Sequence, residues 1–129
     1  MKAIILAAGT GSRLRPLTDH IPKCMVQLKG KPLLEYQLES LRRLNLEKIA
    51  IVAGYKHEAL AACGLKTHRN DQFESTNMVY SLFCAREEFD QDLLVIYGDV
   101  IFEPRVISQL ANCKSNIGIA IDSGWRELW

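Results

Sequence analysis

The chain lacks a surplus of either charge: 16 Lys and Arg stand against 15 Asp and Glu, a net charge of +1 at pH 7. This excludes a broad electrostatic hold on nucleic acid or on a membrane surface and leaves only local basic patches. Cys24, Cys63, Cys84 and Cys113 form no C-x-x-C pair, and no histidine stands at metal-finger spacing. Ser12 and Ser81 have no visible His and Asp partners for a catalytic triad. No apolar run is long enough to span a bilayer. The chain opens directly on an apolar strand, without a charged region, long apolar stretch and cleavage site. The expectation is a reduced, cytoplasmic protein that binds neither nucleic acid nor membrane, with cysteines mostly serving as small core residues. Its 129 residues, 48% hydrophobic and 24% charged, suit one domain with a real core. There are no repeats, low-complexity tracts or linkers.

What is present is concentrated near the start. An apolar strand, Lys2 to Leu6, runs into Leu6-Ala7-Ala8-Gly9-Thr10-Gly11-Ser12-Arg13-Leu14-Arg15-Pro16-Leu17-Thr18, and Ile21-Pro22-Lys23 follows. Small residues let backbone N–H groups turn toward a phosphate chain. Arg13 and Lys23 add the positive charge that a triphosphate needs. Two familiar glycine motifs are excluded. The last position of a G-x-G-x-x-G pattern is Leu14, and Pro16 interrupts the helix that a dinucleotide-binding turn would start. Leu14-Arg15-Pro16 stands where a P-loop needs Gly-Lys-Ser/Thr.

The string from Leu6 to Lys23 resembles the signature of the nucleotidyltransferases that activate sugar phosphates and small alcohol phosphates. Their pattern, L-A-A-G-x-G-x-R-L-x-P-x-T followed by P-K, is matched at every fixed position. Thr76-Asn77-Met78-Val79-Tyr80-Ser81-Leu82 resembles the N-x-x-Y-S-L segment of the cytidylyltransferase branch, which includes enzymes for phosphocholine and aminoethylphosphonate.

Strands and helices alternate along the chain. Leu33 to Leu44 reads as a helix, with Leu34, Leu38 and Leu41 on one face and Glu39 able to pair with Arg43. Lys48 to Ala53 is a buried strand ending at Gly54, and Lys56 to Cys63 a short helix stopped at Gly64. Leu65 to His68 is a short strand. Asn77 to Glu87 is a helix with Met78, Leu82 and Ala85 inward. Leu93 to Tyr97 is a strand ending at Gly98-Asp99, Pro104 opens a helix through Leu110, and Ile117 to Ile121 is the last strand. The fold class is therefore α/β, a Rossmann-like, mostly parallel sheet with helices on both faces. Ligands in such sheets sit beyond the carboxyl ends of the strands, which here carry Ala7-Ala8-Gly9, Gly54-Tyr55 and Gly98-Asp99.

The resemblance implies that Arg13 contacts the triphosphate as pyrophosphate leaves and that Lys23 contacts phosphate groups. Asp99 ends a strand beside a phosphate loop, and magnesium prefers one or two carboxylates with phosphate oxygens and water. The family places a metal-binding aspartate in this G-D pair, which implies Mg2+ on Asp99. Leu6, Ala7, Ala8, Gly9, Thr10 and Gly11 can approach the nucleotide with no bulky side chain in the way. Asn77 and Ser81 can meet a pyrimidine edge or ribose; the alternative is an N-cap asparagine and a helix serine. Tyr55 either packs or touches ligand. Trp125 and Trp129 share a helical face, as an apolar anchor or as a wall for a quaternary ammonium acceptor by cation–π attraction.

The resemblance thus implies a nucleotidyltransferase. A nucleoside triphosphate, CTP foremost, and a small phosphate or phosphonate such as phosphocholine would give a nucleotide-diphospho product and pyrophosphate. The acceptor's own oxyanion attacks the α-phosphorus, so no general base is required. The alternatives are a sugar-1-phosphate nucleotidyltransferase and a noncatalytic nucleotide-binding or regulatory module. Family members are considerably longer, so residues 1–129 read as the N-terminal nucleotide-binding part of the domain, incomplete at its C-terminus. Apolar surface left open there predicts a homo-oligomer.

Overall fold

The opening apolar run forms β1 (Lys2–Ala7), an inner strand of a four-stranded parallel sheet. A small antiparallel hairpin, β2 (Gln27–Leu28) and β3 (Lys31–Pro32), leads into α1 (Leu33–Leu41). Then follow β4 (Lys48–Ala53), β5 (Lys66–Arg69), α2 (Met78–Cys84), β6 (Leu93–Tyr97), α3 (Pro104–Ala111) and the single turn α4 (Trp125–Leu128). The structure is a computed structural model and describes residues 1–128.

The sheet runs β5-β4-β1-β6, every pairing parallel. From β1 the chain crosses to β4, moves outward to β5, then returns past β1 to β6. Strand order therefore reverses between β1 and β6, the position where open α/β sheets bind ligands. The register Leu6↔Tyr97 and Ala7↔Ala53 brings the carboxyl ends of β1, β4 and β6 level.

Strand alternation splits the core in two. Ala3, Ile5, Ile51, Ala53, Leu94 and Ile96 pack in one cluster with Leu34, Leu38 and Leu41 of α1 and Ile107 of α3. Ile4 and Val52 point the other way, to Leu82 of α2 and to Ala85. Burying one such leucine stabilises the fold by roughly 1.5–3 kcal/mol. The expected α/β class, with helices on both faces, is the one that forms.

Several elements depart from expectation. The helix after Pro32 stops at Leu41 and gives way to turns through Leu44. Glu39 therefore pairs with Lys31 at 2.7 Å, and Arg42 with Glu35 at 2.7 Å, in place of the expected Glu39–Arg43 pair. His57–Cys63 winds as a 3-10 helix between left-handed Lys56 (φ 49°) and Gly64 (φ 71°). Leu60 is its one buried residue, too little apolar face to hold an α-helix. The expected helix to Glu87 ends at Cys84, and Arg86–Glu88 is a separate 3-10 turn. Met78, expected inward, is 53% exposed, and Ser81 takes the buried position in α2. The β2–β3 hairpin carries no strand-length apolar run to announce it; left-handed Lys29 and Gly30 make its turn. Of the cysteines only Cys24 is buried, and all four are free thiols. No helix among the described residues is long and apolar enough to cross a membrane.

The last expected strand is overturned. Ile117 to Ile121 pairs with no strand among the described residues, and Ile117, Ile119 and Ile121 are each about four-fifths exposed. A β-branched alternation becomes a strand only when a ladder partner accepts its hydrogen bonds. Exposed apolar runs of this kind favour association. The chain is expected to self-associate in light scattering at tens of micromolar, and Ile117→Lys with Ile121→Lys to return it toward monomer. A monomer at every concentration would refute this.

Candidate active site

The cleft lies at the carboxyl ends of β1 and β6. It is lined by the loop from Leu6 to Gly11, with Arg13, Lys23, Ser81 and Asp99. These ten expected residues are brought together from across the chain, Leu6 to Asp99. Two others are not. Asn77 stands outside the lining and N-caps α2, its Oδ1 accepting from the Tyr80 N–H at 3.1 Å. The capping alternative is therefore the one realised. Trp125 is half exposed and also lies outside the lining; the Arg126 guanidinium sits 5.3 Å from its ring centre. Trp129 lies outside the described residues.

The glycine loop is held from both sides. Gly11 takes φ 63°, and a Cβ there would meet Thr18 Cγ2 at 3.0 Å and Lys23 Cβ at 3.2 Å. Only glycine meets both demands. The Thr18 hydroxyl donates to the Gly11 carbonyl at 2.9 Å, and Thr18 is fully buried. The Tyr55 hydroxyl donates in turn to the Thr18 carbonyl at 2.8 Å, while the Tyr55 N–H reaches the Ala8 carbonyl at 3.0 Å. Tyr55 thus props the loop through the packing role rather than facing the cleft. On the other side Gly98 donates its N–H to the Leu6 carbonyl at 2.8 Å, with no room for a Cβ beside Ala7. The loop can hold its backbone open because its neighbours hold it still.

Charge enters at three points. Arg13 projects from the 3-10 turn Ser12–Leu14, exposed and without a salt-bridge partner among the described residues. Lys23 begins a second 3-10 turn, Lys23–Met25, anchored by buried Cys24. Burial pushes the Cys24 thiol up to about 12, so it is inert as a nucleophile. Lys23 Nζ meets Asp99 Oδ2 at 2.5 Å, each side chain about a third exposed. Lys23 and Asp99, expected separately from sequence as a phosphate contact and a metal ligand, are a pair in space.

Sequence reasoning missed the supports. Asn70 is 1% exposed and donates from Nδ2 to Ser81 Oγ and to Thr76 Oγ1, both at 2.9 Å. Its own oxygen accepts from the Gln72 N–H at 2.9 Å. Ser81, accepting from Asn70, lines the cleft. The Asn70 role carries no local sequence signal; Thr18 stands within the glycine-loop motif, which does not disclose its function.

Comparison with known proteins gives a consistent picture. Residues 3–126 match the MobA-like NTP transferase domain. The CTP:phosphoglutamine cytidylyltransferase of Campylobacter jejuni is 39% identical, covering 100% of this chain and 55% of that protein. The choline-phosphate cytidylyltransferase of Streptococcus pneumoniae is 39% identical, over 80% of this chain and 47% of that one. A solved structure of the CTP:phosphocholine cytidylyltransferase from Streptococcus pneumoniae superposes with a TM-score of 0.71 at 43% identity, covering 76% of this chain and 44% of that chain. The chain thus spans about half the length of the curated relatives it matches.

Proposed function

Since the chain belongs to the MobA-like NTP transferase domain family, we propose that it is the nucleotide-handling part of a cytidylyltransferase. CTP and a small phosphate or phosphonate would be its substrates, and pyrophosphate one product. The observation that carries the reading is the convergence of Arg13, Lys23 and Asp99 on one side-chain-poor loop at the strand-order reversal. Residues 1–129 would form the nucleotide-binding portion of the catalytic domain, the acceptor site lying largely outside it.

The chemistry needs alignment and charge neutralisation more than proton transfer. An acceptor phosphate or phosphonate oxygen attacks the α-phosphorus, its P–O bond forms, and the α–β P–O bond breaks to release pyrophosphate. Arg13 and Lys23 would hold the β- and γ-phosphates as charge moves onto them. Ala7, Ala8 and Gly9 would pass close under the nucleoside, and Ser81 would donate to it. Asp99 fits magnesium by the chemistry of its donor set, one carboxylate at a strand end beside a phosphate cradle; its contact with Lys23 is one that an ion would have to replace. Magnesium, when bound, would neutralise triphosphate charge.

CTP is expected to bind this chain more tightly than UTP, ATP or GTP, and only in the presence of magnesium at full strength. Titration calorimetry with the four nucleotides, with and without magnesium, measures this. Equal affinity for all four would remove the cytidine assignment; no binding to any would remove the nucleotide-handling reading.

A further inference from the structure

We infer that Gln37, in the middle of α1, is the positioning residue of Asp99. Its side-chain amide donates to the Tyr97 carbonyl and to the Val100 carbonyl, both at 2.7 Å. Asp99 lies between these two acceptors in the turn that leaves β6. The turn's own backbone bond, Val100 N–H to the Tyr97 carbonyl, is long at 3.4 Å, so the glutamine closes it. One helical turn further along, Ser40 Oγ lies 3.4 Å from the Phe102 carbonyl. The outgoing chain after β6 is thus tied to the same helix at two levels.

The orientation of the amide is fixed. Both partners are carbonyls, so the NH2 group must face them. Gln37 Oε1 then points into the interior, buried and with no hydrogen-bond partner in the described residues. Gln37 is 1% exposed and stands among Leu34, Leu38 and Leu41 on the core face. A methionine would fill that volume without burying an unsatisfied oxygen. What it could not do is donate twice to the Asp99 turn. The core helix α1 is rigidly packed, so Asp99 inherits a fixed position from it, as metal-ligating carboxylates do from groups behind them.

This rests on the reading of Asp99 as the magnesium carboxylate, and the test separates the two. Gln37→Met in the full 129-residue chain keeps volume and removes both donors. Calorimetric CTP titrations across a magnesium series give two quantities, metal-free affinity and the magnesium midpoint. The midpoint is expected to rise roughly 10–100-fold, with no fall in metal-free affinity. In an Asp99→Asn background, Gln37→Met should change nothing further. Gln37→Leu, likewise apolar and without a donor, should raise the midpoint as well, and serves if the methionine variant does not fold. A normal midpoint in both Gln37 variants, with the response lost in Asp99→Asn, overturns the inference. So does an equal fall in metal-free and magnesium-bound affinity, which marks a merely structural residue. A magnesium response that survives Asp99→Asn overturns the Asp99 reading instead.

Discussion

Asp99→Asn is expected to abolish the magnesium response of CTP binding and, at the same time, to tighten binding in the absence of metal. The two effects have one cause. Lys23 Nζ and Asp99 Oδ2 are 2.5 Å apart, so without metal the carboxylate competes with phosphate for the ammonium. Asparagine ends that competition and frees Lys23, while removing the oxygen that would hold magnesium. Lys23→Ala should weaken binding with or without metal, since the phosphates lose a charge-assisted contact of about 1.5–3 kcal/mol, roughly ten- to hundred-fold in Kd. Arg13→Ala should lose a similar factor and leave the magnesium response intact, because Arg13 pairs with no carboxylate among the described residues. Both side chains of the pair are about a third exposed, and exposed pairs add little to folding. Thermal midpoints should therefore stay close to the parent value. A magnesium response of normal size in Asp99→Asn would make Asp99 structural.

The loop was legible in the sequence because its requirements are local. A strand, two glycines and two spaced cations sit within 22 consecutive residues, Lys2 to Lys23. The sheet was legible because β1, β4 and β6 read as apolar runs; β1 and β4 are inner strands covered on both faces, while edge strand β6 leaves Val95 and Tyr97 exposed. The supports were not, because their partners are distant in the chain. Tyr55 reaches Thr18 across 37 positions and Gln37 reaches Tyr97 across 60. A faint signal existed for Gln37, a polar residue inside the apolar stripe Leu34, Leu38 and Leu41. Ile117 to Ile121 misleads for the opposite reason: its alternation is local and strand-like, but a ladder partner is not a local property. Asn77 reads toward ligand, with capping as the alternative, and its Oδ1 is the N-cap of α2.

Glu88→Gln is expected to destabilise the fold by about 2–3 kcal/mol, somewhat below the loss for a fully enclosed ion pair because its partner Lys48 reaches solvent. Glu88 sits at the end of the sheet away from the cleft, its side chain 2% exposed. Its Oε1 accepts from Lys48 Nζ at 2.6 Å and lies 3.2 Å from His68 Nε2; its Oε2 lies 3.2 Å from Lys2 Nζ. Lys2 and Lys48 face each other as the first register pair of β1 and β4. One carboxylate therefore ties β1, β4 and β5 to the 3-10 turn after α2. His68, Glu87 and Glu88 are spaced closely enough to hold a metal, but the two ammoniums already neutralise Glu88, so the cluster is an ion network. The Lys48 contact, opposed by burial and aided by Lys2 and His68, lowers the Glu88 carboxyl to about 2 from 4.5. A carboxyl lowered by folding stabilises the native state above its unfolded value, and that contribution fades as pH falls toward the folded one. Stability should therefore drop between about pH 4.5 and 2, as denaturant melts across that range would record. Asp90, lowered mainly by its bond to Lys2, titrates in the same direction. Glu88→Gln should for that reason flatten the slope without erasing it. The neutral amide would leave Lys2 and Lys48 facing one another with no charge between them. The loss should therefore be greatest near neutral pH and vanish as the parent carboxyl itself protonates, at about pH 2. A variant as stable as the parent at neutral pH, with an unchanged acid slope, would show that the network contributes nothing to the fold.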